Sequence, residues 1–253
     1  THPAIIPDSP SGVVHSSALA KSTKGSVSFD GTADNSAPGD YLVVAASTDF
    51  DLDSDFCIEA WVYRTTTDNF QTIIDTRSNT STGWLFWVND SGSLKLTLNT
   101  ARTSEFLVSD RHIKNNSWNH VAMIRSGSGT NNCRMFINGT ITAQGTNTTT
   151  WDGSAAAIGY SVTSGHSMSY WRGLISNLRV VKGSAVYTAN FTPSTSPLTN
   201  ITNTKLLCCQ ATNTPAAAAV SPNISGINDG TPWSYYAVGE SLYQGTPNAF
   251  DGN

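Results

Sequence analysis

The stretch that decides the fold is SWNHVAMIRSGSGTNNCRMFINGT, residues 117–140. Two apolar segments flank a polar run, which predicts two strands joined by a turn. Asn138-Gly139 is a typical hairpin dipeptide, because both residues tolerate a positive φ angle. Trp118 has a large ring that gains from burial, and we expect His120 to be packed beside it or at a sheet edge. We therefore interpret this stretch as β framework rather than as a catalytic motif.

On both sides of this hairpin, strand-like segments alternate with turn-forming residues at intervals of about a dozen residues, as in a sandwich. FCIEAWVYRT (56–65) is apolar enough to lie between two covered faces. SLKLTLNT (93–100) alternates, so Leu94, Leu96 and Leu98 face one way. Further strand-like segments are GSVSFDGT (25–32), DYLVV (40–44), QTIIDTR, GWLFWVND, TSEFLVSD, AAAIGYS, YWRGLISNLRVVKG (170–183) and TKLLCCQ (204–210). No window has a sustained helical period, so the sequence predicts an all-β fold with antiparallel strands.

The composition fits turn-rich β structure and excludes two classes of partner. Charged residues make up 13% of the 253 residues, about half of the roughly 25% of an average soluble domain. The net charge of −4 offers no basic surface for nucleic acid. No apolar run approaches the roughly 20 residues of a membrane helix, and the N-terminal residues do not have the pattern of a signal peptide. We expect no nucleic-acid binding and no membrane insertion.

The four cysteines, Cys57, Cys133, Cys208 and Cys209, are best interpreted as small buried hydrophobic residues. Adjacent cysteines such as Cys208 and Cys209 rarely bridge each other, and no spacing fits a metal site. A disulfide between Cys57 and a distant partner stays open as an alternative.

The strand segments together resemble the laminin-G-like branch of the concanavalin A-like lectin/glucanase superfamily, over about residues 26–210. The segments that carry the resemblance are IEAWVY, SWNHVA, MFING and GLISNLRVVKGSAVYTANFTP. The resemblance implies a two-sheet antiparallel jelly-roll sandwich. The last segment, extended by TKLLCCQ, is most similar to copies in structural proteins of tailed phages, notably marine and cyanobacterial ones. Bacterial surface proteins carry similar modules.

The predicted organisation is a jelly-roll domain with two extended arms. Residues 1–25 are expected to form an N-terminal arm and residues 26–211 the laminin-G-like domain. Residues 212–253 are rich in Pro, Ala and Gly, which is typical of a linker or arm. The end NAFDGN echoes VSFDGT (27–32), so this region is also interpreted as the possible start of a further β module. The apolar residues of the C-terminal arm lead us to expect docking on a neighbouring subunit or module.

The sequence predicts that the protein is not an enzyme. A retaining glucanase needs two carboxyl groups about 5 Å apart. Glu occurs here only at positions 59, 105 and 240, without a Glu-x-Asp-x-x-Glu pattern. Glu59 is the sole strand Glu near other acids, since Asp51, Asp53 and Asp55 precede it. That acidic loop lacks the glycine and the glutamate of a helical calcium hand, so a charged loop leading into a strand is the favoured interpretation.

Two further sets of residues are candidates for binding. The resemblance implies a calcium site near DTRSNTSTG (75–83), with Asp75 and Asn79 as oxygen ligands. The second acidic loop of such relatives corresponds to residues 159–169, which contain no carboxylate, so we expect no cofactor and little effect of Ca²⁺. Sugar binding needs aromatic platforms beside polar groups. The candidates are Trp151, Tyr160, Tyr170 and Trp171, each of which is equally compatible with a place in the core.

The sequence therefore predicts a non-catalytic structural or adhesion protein of a tailed-phage virion, in a fibre, the tail or the capsid surface. Its expected location is the virion surface, and its expected partners are other virion subunits or copies of itself, together with host-surface glycans. The alternative is a carbohydrate-binding adhesin module of a bacterial surface or secreted protein. A glycoside hydrolase is the third possibility, which the shortage of Glu disfavours.

Overall fold

The computed structural model describes residues 25–31, 39–67, 70–77, 82–98, 105–161, 170–211, 216–227 and 235–236. These residues form sixteen β-strands in two sheets and one short 3₁₀ helix, Thr48–Phe50. The described part of the chain has no helix that is long and apolar enough to cross a membrane. The all-β, two-sheet antiparallel sandwich predicted from the sequence is confirmed.

The first sheet, sheet A, has nine strands among the described residues. They are β1 (Ser26–Phe29), β3 (Phe56–Arg64), β8 (Trp118–Arg125), β9 (Cys133–Ile137), β10 (Thr140–Gly145), β12 (Gly173–Lys182), β13 (Thr204–Cys208), β14 (Ala218–Val220) and β16 (Tyr235–Tyr236). The strand order is β10-β9-β8-β3-β12-β1-β16. The long strand β12 pairs with β1 through its first half and with β13 through its second half, and β14 lies outside β13.

The second sheet, sheet B, has seven strands among the described residues, in the order β15-β2-β11-β4-β5-β6-β7. Their bounds are β2 (Tyr41–Val44), β4 (Gln71–Asp75), β5 (Trp84–Val88), β6 (Ser93–Leu98), β7 (Glu105–His112), β11 (Ala156–Ile158) and β15 (Ile224–Ile227). All pairs are antiparallel. Leu94 and Leu96 of β6 are fully buried in the core, as the alternating pattern predicts.

The core lies between the two sheets and is formed by side chains of alternate strand positions. Its largest fully buried aromatic members are Phe29, Phe50, Phe56, Trp84, Phe86 and Trp171. Three of the cysteines, Cys133, Cys208 and Cys209, belong to this core, whereas Cys57 lies in a second apolar cluster. All four cysteines are buried and unbridged, so their predicted burial is confirmed.

The hairpins around residues 117–140 form as the sequence predicts. Strands β8 and β9 pair, and β10 follows after the turn at Asn138-Gly139. Both turn residues have positive φ angles, 51° and 75°, as a two-residue hairpin requires. The Asn138 side chain accepts a hydrogen bond from the His120 backbone N–H at 2.8 Å. Trp118 is 6% exposed and packs edge-on against Tyr63 of the neighbouring strand.

The outer face of sheet A is covered by residues 183–200, named here the covering segment. These residues contain no regular strand or helix. The side chains of Val186, Tyr187 and Phe191 pack on the second apolar cluster, whose buried members are Cys57, Ala122, Ile124, Phe136 and Val181. The Phe191 N–H donates to the Gly139 carbonyl at 2.9 Å. A face of sheet A that would otherwise meet water is therefore a second buried interface.

Three short strands from the C-terminal residues pair with the edges of the two sheets. Strand β14 extends sheet A beside β13, β15 extends sheet B beside β2, and β16 pairs with β1 in sheet A. The backbone groups at an open sheet edge need hydrogen-bond partners, and these short segments supply them. Except for Gly25, the expected N-terminal arm, residues 1–25, lies outside the described residues.

Candidate functional site

A small cavity opens at the end of the sandwich where β5 begins and β6 ends. It has a volume of about 180 Å³ and is named here the rim pocket. Its lining consists of Thr82, Gly83, Leu98, Asn147, Thr149, Thr150, Trp151 and Asp152. Thr149, Thr150 and Asp152 are exposed, so hydroxyl and carboxylate oxygens are open to a ligand there.

The loop that forms one wall of the rim pocket is ordered around Asn147. The Asn147 side-chain oxygen accepts three hydrogen bonds, from the Thr149 N–H, the Thr149 hydroxyl and the Trp151 indole N–H, all at 3.0 Å. The Asn147 N–H donates to the side chain of Asn132 at 3.0 Å. The loop is therefore held in one shape by its own polar groups.

Arg125, at the end of β8, holds the same loop from below. Its guanidinium donates to three backbone carbonyls, those of Ser54 at 2.8 Å, Thr149 at 2.7 Å and Leu52 at 2.7 Å. The guanidinium also lies 5.6 Å from the centre of the Trp151 ring, within the range of a cation–π contact. Sequence analysis did not single out Arg125, because its three acceptors are backbone atoms of distant loops.

A second candidate surface is a cluster of three half-buried tyrosines, Tyr41, Tyr160 and Tyr170. Tyr160 and Tyr170 stack with ring centroids 4.5 Å apart, and Tyr41 lies 4.8 Å from Tyr160. Burial and the neighbouring Tyr160 raise the pKa of Tyr170 to about 12, and they also raise the pKa of Tyr41. Both of these phenols therefore stay protonated near neutral pH and can donate hydrogen bonds. Tyr41 was missed because it is far from the other two in sequence.

The structure does not bring the four predicted aromatic residues together. Trp151 precedes the short strand β11, whereas Tyr160, Tyr170 and Trp171 follow it. Trp151 is 3% exposed and Trp171 is fully buried in the core, so neither presents an open ring face as a platform. Trp151 meets the rim pocket at its edge. Tyr160 and Tyr170 are the members of the set that are partly exposed.

Asp75, one of the two predicted calcium ligands, has surroundings that differ from those of a calcium ligand. The Asp75 carboxylate is fully buried and forms two hydrogen bonds with the Arg77 guanidinium, both at 2.9 Å. The Ser161 hydroxyl donates to the same carboxylate at 2.8 Å. Because the Arg77 cation occupies the place beside the carboxylate where Ca²⁺ would bind, this arrangement does not fit the ion. Asn79 lies outside the described residues.

The acidic loop that precedes β3 contacts two strands and two loops. Its four carboxylates contact four different groups: Asp49 with Lys205, Asp51 with the Gly153 N–H, Asp53 with Lys182, and Asp55 with the Gly127 N–H. Within the described ranges, no group of three or more His, Cys, Asp or Glu side chains is placed to hold a metal ion. The favoured interpretation of this stretch as a charged loop agrees with these contacts.

Glu59, the one strand Glu considered for hydrolysis, lies beneath the covering segment and is fully buried. One carboxylate oxygen accepts from the Arg179 guanidinium at 2.9 and 2.5 Å. The other oxygen accepts from the Tyr187 hydroxyl at 2.8 Å and lies 3.1 Å from His120 Nε2. His120 Nδ1 has no hydrogen-bond partner in the described part of the chain, so the imidazole makes its hydrogen bond to Glu59 through Nε2.

The electrostatics of this cluster keep Glu59 ionised. Burial by itself raises the pKa of the carboxyl, but the hydrogen bond and charge of His120 and the charge of Arg179 outweigh it, so the pKa lies below its ordinary value. A general acid needs the opposite change, a raised pKa, together with access to substrate. Glu59 therefore acts as a structural anion that joins β3, β8, β12 and the covering segment. Sequence analysis did not bring this set together, because its members lie far apart along the chain.

This two-sheet fold also occurs in a known protein superfamily. The family described as the concanavalin A-like lectin/glucanases superfamily matches residues 21–186. The chain belongs to this superfamily. The expected resemblance to its laminin-G-like branch is thereby confirmed. No curated protein matches the chain by sequence.

Solved structures share the architecture of this superfamily domain. A candidate carbohydrate binding protein from Bacteroides ovatus aligns with 85% of this chain and 60% of its own, at 16% identity and a TM-score of 0.58. The heptameric SAP-like pentraxin from Limulus polyphemus aligns with 62% of this chain and 76% of its own, at 18% identity and a TM-score of 0.48. The chain spans less than two thirds of the Bacteroides protein. At 16% identity, the similarity to the Bacteroides protein shows the fold alone.

Proposed function

We propose that this protein is a non-catalytic carbohydrate-binding module that attaches its parent assembly to a glycan-bearing surface. The rim pocket is the observation that carries the proposal. Sugar sites combine a few placed polar groups with apolar or aromatic surface. The pocket offers the hydroxyl groups of Thr149 and Thr150 and the carboxylate of Asp152 beside Leu98 and the edge of Trp151. Its volume of about 180 Å³ suits a single sugar ring at the end of a glycan.

The fold supports the same proposal. The Bacteroides protein that shares this sandwich is described as a candidate carbohydrate binding protein. The burial of Glu59 under the covering segment argues against the hydrolase alternative, because substrate cannot reach the carboxylate. Because Glu59 is shielded in this way, binding without turnover is the activity that we propose.

The tyrosine cluster is the second surface proposed to contact a glycan. Tyr160 and Tyr170, both predicted from the sequence, join Tyr41 there and present partly exposed rings. Stacking on tyrosine rings and hydrogen bonding to their hydroxyls are both compatible with sugars. Because this cluster and the rim pocket are at opposite ends of β11, separate variants distinguish them.

The test is a glycan array followed by titration of the best-bound glycan. Asp152→Asn keeps the shape of the pocket and removes its charge. A hydrogen bond to a charged group contributes about 1.5–3 kcal/mol, so we expect affinity to fall at least about tenfold. Tyr160→Ala is the matched variant for the other surface and should leave affinity unchanged if the rim pocket is the site. Binding that neither variant weakens, or no binding to any glycan, would contradict the proposal.

We propose further that the protein acts on the surface of a tailed-phage virion. The support is the resemblance of residues 171–210 to copies in phage structural proteins, together with the low charge of the chain. Its partners there would be other virion subunits or copies of itself, with host-surface glycans as the ligands. Many copies on one particle would convert weak single contacts into strong attachment. The alternative setting is a bacterial surface or secreted adhesin.

The setting and the lack of turnover are tested separately. Peptides of this chain should be found in purified phage particles, and labelled antibody should bind intact particles. Detection only in bacterial cell-surface fractions would favour the adhesin alternative. Pure protein should release no reducing sugar from polysaccharides, and release that Glu59→Gln abolishes would establish the hydrolase instead.

A further inference from the structure

Cys208 and Cys209, at the end of β13, have their side chains on the same side of the chain. Successive residues of a strand normally point to opposite faces. Here Cys209 has a φ angle of 60°, in the left-handed region that residues other than glycine, Asn and Asp seldom adopt. Both side chains therefore enter the same core, and the two sulfur atoms lie 3.6 Å apart.

We propose that Cys208 and Cys209 are a redox-modification site that closes to a disulfide between adjacent residues. A disulfide has an S–S bond of about 2.05 Å, so the two sulfurs, now 3.6 Å apart, need to approach by about 1.5 Å. Closure needs a side-chain rotation at each residue and an adjustment of the local backbone, because adjacent Cα atoms are about 3.8 Å apart, below the usual disulfide span of about 4.4–6.8 Å. The left-handed backbone at Cys209 already places both side chains on one side of the chain, which a regular strand does not allow.

The reaction is a thiol–disulfide exchange with a small disulfide as the oxidant. One cysteine attacks a sulfur of the oxidant and releases one thiol. The second cysteine then attacks the mixed disulfide and releases the second thiol. Two protein thiols and one small disulfide thereby give one protein disulfide and two small thiols, with two electrons passed to the oxidant. Excess reductant reverses the reaction.

The other two thiols have different neighbours. Cys57 Sγ lies 3.9 Å from a carboxylate oxygen of Glu59, on the outer side of sheet A. Cys133 Sγ lies 3.8 Å from the Asn147 carbonyl oxygen. Their surroundings contain a carboxylate and a carbonyl where a partner sulfur would be needed. Cys208 and Cys209 therefore differ from the other two cysteines in having their sulfur atoms close to each other.

Burial determines when the bond forms. Both residues are shielded from solvent, and the contact with Cys209, together with burial, raises the pKa of Cys208 well above its ordinary value. Since the thiolate is the reactive species, we expect closure during folding in an oxidising medium and slow reaction once the chain has folded under reducing conditions.

The experiment compares full-length protein unfolded and then refolded with oxidised glutathione or with excess reductant. Free thiols are then alkylated under denaturing conditions, and the chain is cut with trypsin after Lys and Arg. The digest separates the cysteines, since Cys57 lies in fragment 25–64, Cys133 in 126–134, and the adjacent pair in 206–253. We expect fragment 206–253 to carry two alkyl groups after reduction and none after oxidation, with both other fragments alkylated in each sample.

Two variants sharpen the test. Cys133→Ser should leave the oxidation of fragment 206–253 unchanged, whereas Cys209→Ser should abolish it. If Cys209→Ser does not fold, the fragment map of the wild-type protein still decides. Two alkyl groups on fragment 206–253 after oxidative refolding would overturn the proposal. A glutathione adduct without a ring, or a bond to the fragment with Cys57 or Cys133, would overturn it as well.

Discussion

The buried Glu59 cluster gives the sharpest prediction about stability. Glu59→Gln keeps the size of the side chain but leaves the Arg179 guanidinium, whose side chain is 5% exposed, without its anion. Removing one partner of a buried ion pair costs about 3–5 kcal/mol. Gln retains some hydrogen bonding, and Arg179 keeps its bond to the Thr199 carbonyl, so we expect a loss of about 3 kcal/mol.

The matched control is Glu105→Gln, the same change at an exposed ion pair. The side chains of Lys95 and Glu105 are 14% and 28% exposed, and pairs at the surface contribute about 0.2–1 kcal/mol. Urea unfolding curves with unchanged slope give the free energy of unfolding of each variant. If Glu59→Gln and Glu105→Gln cost the same, Glu59 is not the structural anion inferred here.

The difference in stability between wild type and Glu59→Gln should depend on pH. The pKa of Glu59 lies below its ordinary value in the folded protein, so the carboxylate contributes stability above the unfolded pKa of about 4.3. That contribution is lost as the pH falls through the folded pKa. The difference in stability between wild type and Glu59→Gln should be complete above the unfolded pKa and shrink as the pH falls below it. A difference that stays constant as the pH falls would refute the pKa assignment.

Four further predictions concern two framework residues, calcium and the C-terminal residues. Trp118→Ala should cost about 3–5 kcal/mol in urea unfolding, and a change below about 1 kcal/mol would mean that Trp118 is not core. Gly139→Ala should cost at least about 1–3 kcal/mol, because the new Cβ would lie 1.9 Å from the Phe191 carbonyl oxygen and the residue has a φ of 75°. The control Gly129→Ala should be neutral, because its Cβ would meet open space. Calcium should move the melting temperature by less than about 2 °C relative to chelator, and a larger rise would indicate a metal site. Removal of residues 212–253 should lower stability by about 2 kcal/mol, since edge hydrogen bonds are lost from both sheets; unchanged stability would favour a free arm.

Much of the fold was predictable because its signals are local. Three of these signals depend on only a few neighbouring residues each: the alternation of Leu94 and Leu96, the Asn138-Gly139 turn and the apolar run of β3. The pairing of β12 with both β1 and β13 was not predictable in this way. Its division depends on a bulge between Ser176 and Arg179, and strand order is set by contacts between distant segments.

The candidate site was less predictable for the same reason. The sequence singled out Tyr160 and Tyr170 but not Tyr41, which reaches them only through the pairing of β2 with β11. It also suggested aromatic platforms at Trp151 and Trp171, because an exposed ring and a core ring have the same local pattern. Which of the two occurs depends on what packs over the ring in three dimensions.

The anchoring of the rim by Arg125 has a consequence for how the protein can diverge. All three of its acceptors are main-chain carbonyls, those of Leu52, Ser54 and Thr149. Every amino acid has a main-chain carbonyl, so substitutions at these loop positions leave the anchor intact. Mutations can therefore change the side chains offered at the rim while this main-chain anchor persists. A scaffold of this kind can acquire a new ligand preference by a few loop substitutions, at little cost to its stability.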